Sequence, residues 1–481
     1  MAPKRKKLFG TNGIRGIFGN DLSIEFIIDV SFAIGSFFNK GPIVLGHDGR
    51  SSSFAISKIV SSAIMSLGID VYNMGLTPTP CLQFTVKNSD FKGGIMITAS
   101  HNPPQYNGLK PISNFGIELS RDEEKLIEDI YYERKFIDIK DPNFGNSFIL
   151  YDALEKYIEK VISFIDIESV KSSKLKIVMD LGNGVQSLVA PLIAKKLGCQ
   201  IVILNGNIDG NFSARGSEPK MDNLTNLTEM VKRTKSDLGV AYDGDGDRSI
   251  FCDELGQIHW GDKTGSILAN YLIKNKEIYT PVVCPINSST IISKICNNLN
   301  HKIIFTKVGS VEVTHTMRNN NSIVGFEENG GFFYGPLNYV RDGAITTALI
   351  LEMISHYQRK PTELKSQSKE GEIDSRITLS KIFKIFDNTF QYKSSLKLAN
   401  IEDIPKVLEL CKNHGSVKEI EDLDGIKIWF DNDTWIMLRP SGTEPLLRIY
   451  GESDDKYLLD SKIKEYNDLI KTHFPLDGFQ T

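Results

Sequence analysis

Two spacings of apolar residues alternate along this chain, and the alternation repeats three times. Residues 42–46 form a short apolar run, residues 52–67 place apolar side chains at helical intervals, and residues 69–72 return to a strand-like run. The same order recurs at 175–180, 186–197 and 200–204, and again at 281–286, 288–299 and 302–305. Strand, polar or glycine-containing loop, amphipathic helix, strand is the signature of a βαβ unit. The units lie a domain apart rather than a solenoid repeat apart, so the pattern predicts three related α/β domains in tandem. Past Pro361 the texture changes. Residues 365–369 are polar, 426–430 and 435–438 read as a hairpin around Asp431, Asn432 and Asp433, 446–450 as a third strand, and 454–472 as a closing helix. The predicted partition is α/β domains over 1–150, 151–255 and 256–365, and a smaller α+β domain over 366–481.

Composition narrows the class. A chain of 481 residues is too long for one core, which gives a prior of about three or four domains. With 41% hydrophobic and 24% charged residues it is an ordinary globular sequence, and a formal net charge of −4 argues against nucleic-acid binding through a basic surface. The basic run Lys4-Arg5-Lys6-Lys7 is read as a solvated tail, and no apolar segment follows it that would make a secretory signal. The most apolar stretch, 24–38, is interrupted by Glu25 and Asp29, so no membrane span is expected. Six scattered cysteines without a C-x-x-C pair suit buried free thiols and a cytoplasmic location.

One stretch concentrates the chemistry. Asp243, Asp245 and Asp247 alternate with glycines, Arg248 follows at once, and apolar residues flank the group on both sides. Carboxylates this close repel one another unless a cation sits among them. Oxygen ligands without nearby Cys or His select Mg²⁺ or Ca²⁺ over Zn²⁺. An EF-hand would place Glu254 at the twelfth loop position, but Arg248 occupies the place of the obligatory glycine and the flanks are strand-like.

Four further loops carry reactive or binding side chains. After an apolar run ending at Ile97 comes TASHNPP, 98–104: Ser100 is either a nucleophile fixed by two prolines or part of a polar turn. His101 in that loop either moves a proton or faces water, and Lys110 follows downstream. GTNGIRG, 10–16, offers backbone N–H groups and Arg15 to a phosphate, yet matches neither an ATP-type phosphate loop nor a dinucleotide fingerprint. EENGG, 327–331, holds Glu327 and Asn329 between glycines, a set suited to vicinal sugar hydroxyls or to a plain turn. RPSGTEP, 439–445, brings Arg439, Ser441, Gly442 and Thr443 together, with Arg448 beyond, as a nest for a phosphate or as a charged β-turn.

These five motifs, in this order and over essentially the whole length, resemble the α-D-phosphohexomutase family, in its archaeal form. The resemblance implies three α/β domains with mixed sheets and a smaller fourth domain around a central cleft. It implies that Ser100 carries the phosphoryl group, that Asp243, Asp245 and Asp247 bind Mg²⁺ together with it, and that Arg248 lies beside the sugar. It further implies that Glu327 and Asn329 contact sugar hydroxyls, and that Arg439, Ser441, Gly442, Thr443 and Arg448 hold the phosphate that is not reacting. Arg15, His101 and Lys110 would surround the transferring group, with His101 or Lys110 moving the proton. A hexose 1,6-bisphosphate is the implied activator, a sugar phosphate the implied partner, and a monomer or homodimer the implied assembly. Two departures stand out: Phe326 replaces a glycine usual before the glutamate, and Gly331 stands where some bacterial members place a histidine. A metal-dependent sugar-phosphate phosphatase and a non-catalytic sugar-phosphate binder remain alternatives, and among mutases glucosamine, glucose and mannose phosphates stay open.

Overall fold

The computed structural model describes residues 7–10, 12–39, 41–138, 143–365, 376–386, 388–415, 417–431, 433–441 and 445–476. They form four sheets, and the first three share one plan. In the first sheet the strands Ile43–His47, Val71–Leu76, Gly93–Ile97 and Tyr106–Ser113 follow one another in the chain. Ile43–His47 pairs in parallel with both Val71–Leu76 and Gly93–Ile97, and Gly93–Ile97 pairs antiparallel with Tyr106–Ser113. The second sheet repeats that order and polarity with Lys176–Asp180, Gln200–Leu204, Leu238–Tyr242 and Ser249–Asp253. The third repeats it with Val282–Pro285, Ile303–Thr306, Val324–Phe326 and Phe332–Tyr334. The recurrence inferred from spacing alone is therefore a recurrence of topology. Its consequence is positional: the turn between third and fourth strands is 98–105 in the first sheet, 243–248 in the second and 327–331 in the third. Three of the motifs occupy one equivalent place.

The fourth sheet is antiparallel throughout, in the order Phe390–Lys397, Leu446–Ser453, Trp435–Pro440, Ile426–Trp429, Glu419–Glu421. The helix Lys456–His473 covers it, with Leu459, Ile463, Tyr466 and Ile470 buried against Ile428, Ile436 and Leu438. The second and third sheets share a single apolar core. Through it runs the helix Gly343–Arg359, buried along most of its length and started by Asp342, whose carboxylate accepts from Ala344 and Ile345 N–H. The first sheet and the fourth keep cores of their own.

Three sequence expectations need correction. The helix expected over 186–197 is broken into a 3₁₀ turn, Val185–Leu188, and a helix, Ala190–Lys196. Pro191 sits in the first turn of the second piece, where its missing N–H costs nothing, and this restarts the chain. The strand expected at 69–72 runs instead over Val71–Leu76. The strand Phe390–Lys397 of the fourth sheet was not anticipated, because most of its residues are polar and it lies at an edge. All six cysteines are buried and free. Among the described residues, no helix is long and apolar enough to cross a membrane.

Candidate active site

The strand Gly93–Ile97 is buried at every position and delivers the loop that carries Ser100. Ser100 adopts φ +51, a left-handed conformation that costs a serine roughly 1–2 kcal/mol. Arg50 maintains it. The guanidinium of Arg50 donates from Nη2 to the carbonyls of Ser100 (2.6 Å) and Asn102 (2.7 Å), and from Nη1 to those of Pro103 (2.7 Å) and Tyr106 (3.0 Å). Its Nε is bound to Asp48 Oδ2 at 3.0 Å, and Asp48 also accepts from Ser53 Oγ and Thr98 Oγ1. Arg15 closes the other side, donating to Ala99 O at 3.2 Å and Asn102 Oδ1 at 2.9 Å. Burial lowers the Arg15 pKa to about 10.

Ser100 Oγ donates to Asp243 Oδ2 at 3.0 Å and lies 3.4 Å from His101 Nδ1. The two loops meet this closely because residue 244 is glycine: a Cβ there would stand 2.9 Å from the Ser100 carbonyl oxygen. Desolvation first, and then Arg248, Arg15, Arg341 and Arg50, push the His101 imidazole well below its usual pKa.

Ligand oxygens of Asp243, Asp245 and Asp247 lie within 4.8 Å of one another, and all three residues are fully buried. Besides the Ser100 bond to Asp243 Oδ2, one oxygen of each is fixed by a further protein donor: Asp243 Oδ1 by the N–H of Arg248 (3.1 Å), Asp245 Oδ2 by Thr79 Oγ1 (2.7 Å), and Asp247 Oδ2 by Arg341 Nη2 (2.5 Å). Asp245 Oδ1 and Asp247 Oδ1 are buried and accept no hydrogen bond. Burial and mutual repulsion raise the pKa of Asp243 well above the carboxylate range and also raise that of Asp245. Asp247 is likewise desolvated, but Arg341, Lys110, Arg248 and Arg15 outweigh that and hold it low. Two orphaned carboxylate oxygens beside a hydroxyl, with no sulfur or imidazole among the fixed donors, fit a hard divalent cation. The flanks are strands, not helices, which removes the EF-hand reading.

The third loop meets the same centre through Arg341, whose Nη1 lies 3.4 Å from Glu327 Oε2. Burial raises the Glu327 pKa. The Asn329 side-chain carbonyl accepts from Gly331 N at 3.1 Å. Phe326 finds room because the helix it packs on carries Gly265 there, where a Cβ would meet the ring at 2.4 Å. Lys110 Nζ lies between Glu118 Oε1 (3.2 Å) and Asp247 Oδ2 (3.8 Å). Arg248 spans from Asp243 and Asp247, at 4.0 and 3.8 Å, to Glu218 at 3.7 Å.

The fourth loop is built differently. Arg439 donates to Asp424 Oδ2 at 2.7 Å and to Val308 O at 3.3 Å, and Ser441 N donates to Leu446 O at 2.7 Å. Arg439 and Arg448 face each other directly across adjacent strands. Like charges so placed destabilise a sheet unless an anion lies between them. Gly442 and Thr443 lie outside the described residues.

Residues 6–138, 155–256 and 260–370 match the phosphoglucomutase/phosphomannomutase alpha/beta/alpha domains I, II and III, and 393–466 match the C-terminal domain of the same family. The chain belongs to this family. That makes it a hexose-phosphate mutase, an isomerase acting by intramolecular phosphoryl transfer. A phosphoglucosamine/phosphogalactosamine mutase of Sulfurisphaera tokodaii is 38% identical over 97% of this chain and 99% of its own length. A phosphoglucomutase/phosphomannomutase of Thermococcus kodakarensis is 34% identical over 96% and 97%. A crystal structure of a phosphoglucomutase/phosphomannomutase family protein from Burkholderia thailandensis superimposes with a TM-score of 0.82, covering 98% of this chain and 99% of that one; at 23% identity it speaks for the fold.

Several side chains that organise this phosphohexomutase centre escaped sequence reasoning. Asp48 and Arg50 sit just past the end of Ile43–His47, at the carboxyl edge where open α/β sheets place their sites, and that position was the available signal. Ser217 donates to the carbonyls of His101 (2.8 Å) and Asn102 (2.7 Å) while its own carbonyl accepts from Gly244 N–H (2.9 Å), stitching the Ser100 loop to the acidic loop. Thr79, Glu118 and Arg341 belong to no motif, and nothing in their local sequence marks them.

Proposed function

We propose that Ser100 is the phosphoryl carrier of this mutase. Phosphoserine 100 transfers its phosphoryl group to the free hydroxyl of a hexose phosphate: the serine O–P bond breaks, a sugar O–P bond forms, and the hydroxyl proton leaves to a neighbouring base. The bound hexose 1,6-bisphosphate reorients, and its other phosphoryl group passes to Ser100: that sugar O–P bond breaks, the serine O–P bond re-forms, and the proton held by the base goes to the freed sugar oxygen. The observation that carries this reading is the Ser100 hydroxyl, held in a left-handed turn 3.0 Å from Asp243 beside two unpartnered carboxylate oxygens.

Asp243, Asp245 and Asp247 would hold Mg²⁺ together with the phosphate on Ser100. When bound, that ion supplies charge stabilisation on the equatorial phosphoryl oxygens. Arg15 and Arg248 complement the same charge from the protein side. His101, whose Nδ1 lies 3.4 Å from Ser100 Oγ, and Lys110 are the two candidates for moving the hydroxyl proton. Glu327 and Asn329 read sugar hydroxyls. Arg439, Ser441, Gly442, Thr443 and Arg448 hold the resting phosphate, whichever end of the sugar bears it. Glucosamine, glucose and mannose phosphates are the proposed substrates, with a hexose 1,6-bisphosphate restoring phosphoserine that has been lost. Six buried free thiols fit a cytoplasmic enzyme.

The test is turnover of glucosamine 6-phosphate, glucose 1-phosphate and mannose 1-phosphate with Mg²⁺, beside Ser100→Ala and a chelated sample. A hundredfold preference, about 2.7 kcal/mol, shows that carbon 2 is read. Comparable rates show a broad mutase. Full activity of Ser100→Ala would sink the phosphoserine mechanism, and release of inorganic phosphate in place of isomer would show a phosphatase.

A further inference from the structure

We infer that Arg341 is a positioning residue that sets two functional carboxylates at once, aiming Asp247 at the metal and Glu327 at the sugar. The inference rests on the metal and sugar roles proposed above for those two acids.

Arg341 ends the strand Asn338–Arg341 of the third sheet, whereas Asp247 lies in the acidic loop of the second and Glu327 in the turn of the third. The guanidinium is 4% exposed, Asp247 1% and Glu327 3%, so neither pairing is a solvent-screened surface contact. Nη2 donates to Asp247 Oδ2 at 2.5 Å, and Nη1 lies 3.4 Å from Glu327 Oε2. Because Oδ2 is taken, the carboxylate rotates to leave Oδ1 as its buried oxygen without a hydrogen bond. Donors that orient a ligating carboxylate in this way typically control metal affinity by tenfold to a hundredfold.

Space for this side chain comes from a glycine. A Cβ on Gly331 would stand 2.4 Å from Arg341 Cδ and 2.8 Å from its Cγ. Any larger residue at 331 pushes the Arg341 stem off its path. A lysine at 341 would keep the charge but present a single point donor rather than a planar fork, and so serves one carboxylate at a time. This separates the bridging role from simple neutralisation of buried acids.

The experiment compares wild type with Arg341→Lys, Arg341→Met and Gly331→Ala. Mn²⁺ binding is titrated by electron paramagnetic resonance with no sugar present, and KM and kcat for glucose 1-phosphate and glucosamine 1-phosphate are measured separately. The expected result is tenfold to hundredfold weaker Mn²⁺ binding in Arg341→Met, accompanied by a raised sugar KM. Arg341→Lys regains the melting temperature of wild type without regaining both affinities, and Gly331→Ala weakens both with no charge changed. Wild-type Mn²⁺ affinity in both Arg341→Lys and Gly331→Ala overturns the assignment. A wild-type protein that holds no Mn²⁺ overturns the metal reading itself, and this inference with it.

Discussion

The end of the site around Ser100, proposed to transfer the phosphoryl group, and the end around Arg439, proposed to hold the other phosphate, are built on opposite plans. Around Ser100 every loop is locked by buried partners: Arg50 binds four backbone carbonyls, Ser217 binds one of these and a fifth, and each acidic-loop carboxylate has at least one oxygen fixed. At the holding end, Arg439 is one-fifth exposed and tied to Asp424, while Arg448 is exposed across the ladder from it. The difference matches the work proposed for each end. Phosphoryl transfer depends on placement to a fraction of an ångström, and rigid buried hydrogen bonds supply it. On the proposed mechanism the holding end accepts a phosphate from either end of a sugar, which agrees with a cation, Arg448, left exposed there.

If the comparison is right, damage at the two ends should separate in kinetics. The largest effect belongs to Ser100→Ala, which removes the carrier: kcat should fall about 10⁴-fold or more with the melting temperature retained. Residual activity within tenfold of wild type breaks the comparison at its root. Next comes Arg50→Lys, which keeps the charge but loses the fork that shapes the serine turn. A drop in kcat of about 10²-fold with little change in KM is expected. A change confined to KM would mean that the loop is not shaped from below. At the holding end, Arg448→Ala should raise the KM of a sugar phosphate about tenfold while kcat stays within a few-fold, as loss of a uniformly bound phosphate contact requires. A matching fall in kcat would show that this end, too, is tuned to the transition state.

A smaller effect tests how the fourth domain sits on the third. Lys427 is buried, donates to Ile286 O at 2.8 Å and lies 4.2 Å from the Trp435 ring centre. Burial, partly opposed by Glu421 and Glu452, lowers its pKa from 10.5 to about 8. The unfolded chain therefore binds the proton more tightly than the folded one. The cost of the buried ammonium is full below pH 8 and is relieved as pH rises toward 10.5, so wild-type stability gains over that window. Urea denaturation of wild type and Lys427→Met should converge or cross as pH rises from 7 to 10.5. Parallel curves would remove the buried-charge account of that interface.

Sequence periodicity carried the three-fold recurrence and three of the five described strands in the last domain, because buried strands and amphipathic helices write their burial into the order of residues. It also exposed the acidic loop, since three carboxylates in five residues admit few explanations without a cation. The edge strand Phe390–Lys397 was illegible for the converse reason: half of it meets water, so little apolar signal remains.

By itself, the order of residues determined which loops gather polar and charged side chains and that one of them, the acidic loop, could bind a metal. Only the tertiary structure decided that three of those loops occupy one equivalent turn and converge. It also decided which residues support them: Arg50 lies 50 positions from Ser100, Thr79 166 from Asp245, and Arg341 94 from Asp247. A motif records side chains that act together within a few residues. A supporting hydrogen bond needs only proximity in space, which the chain reaches by folding and does not mark along its length.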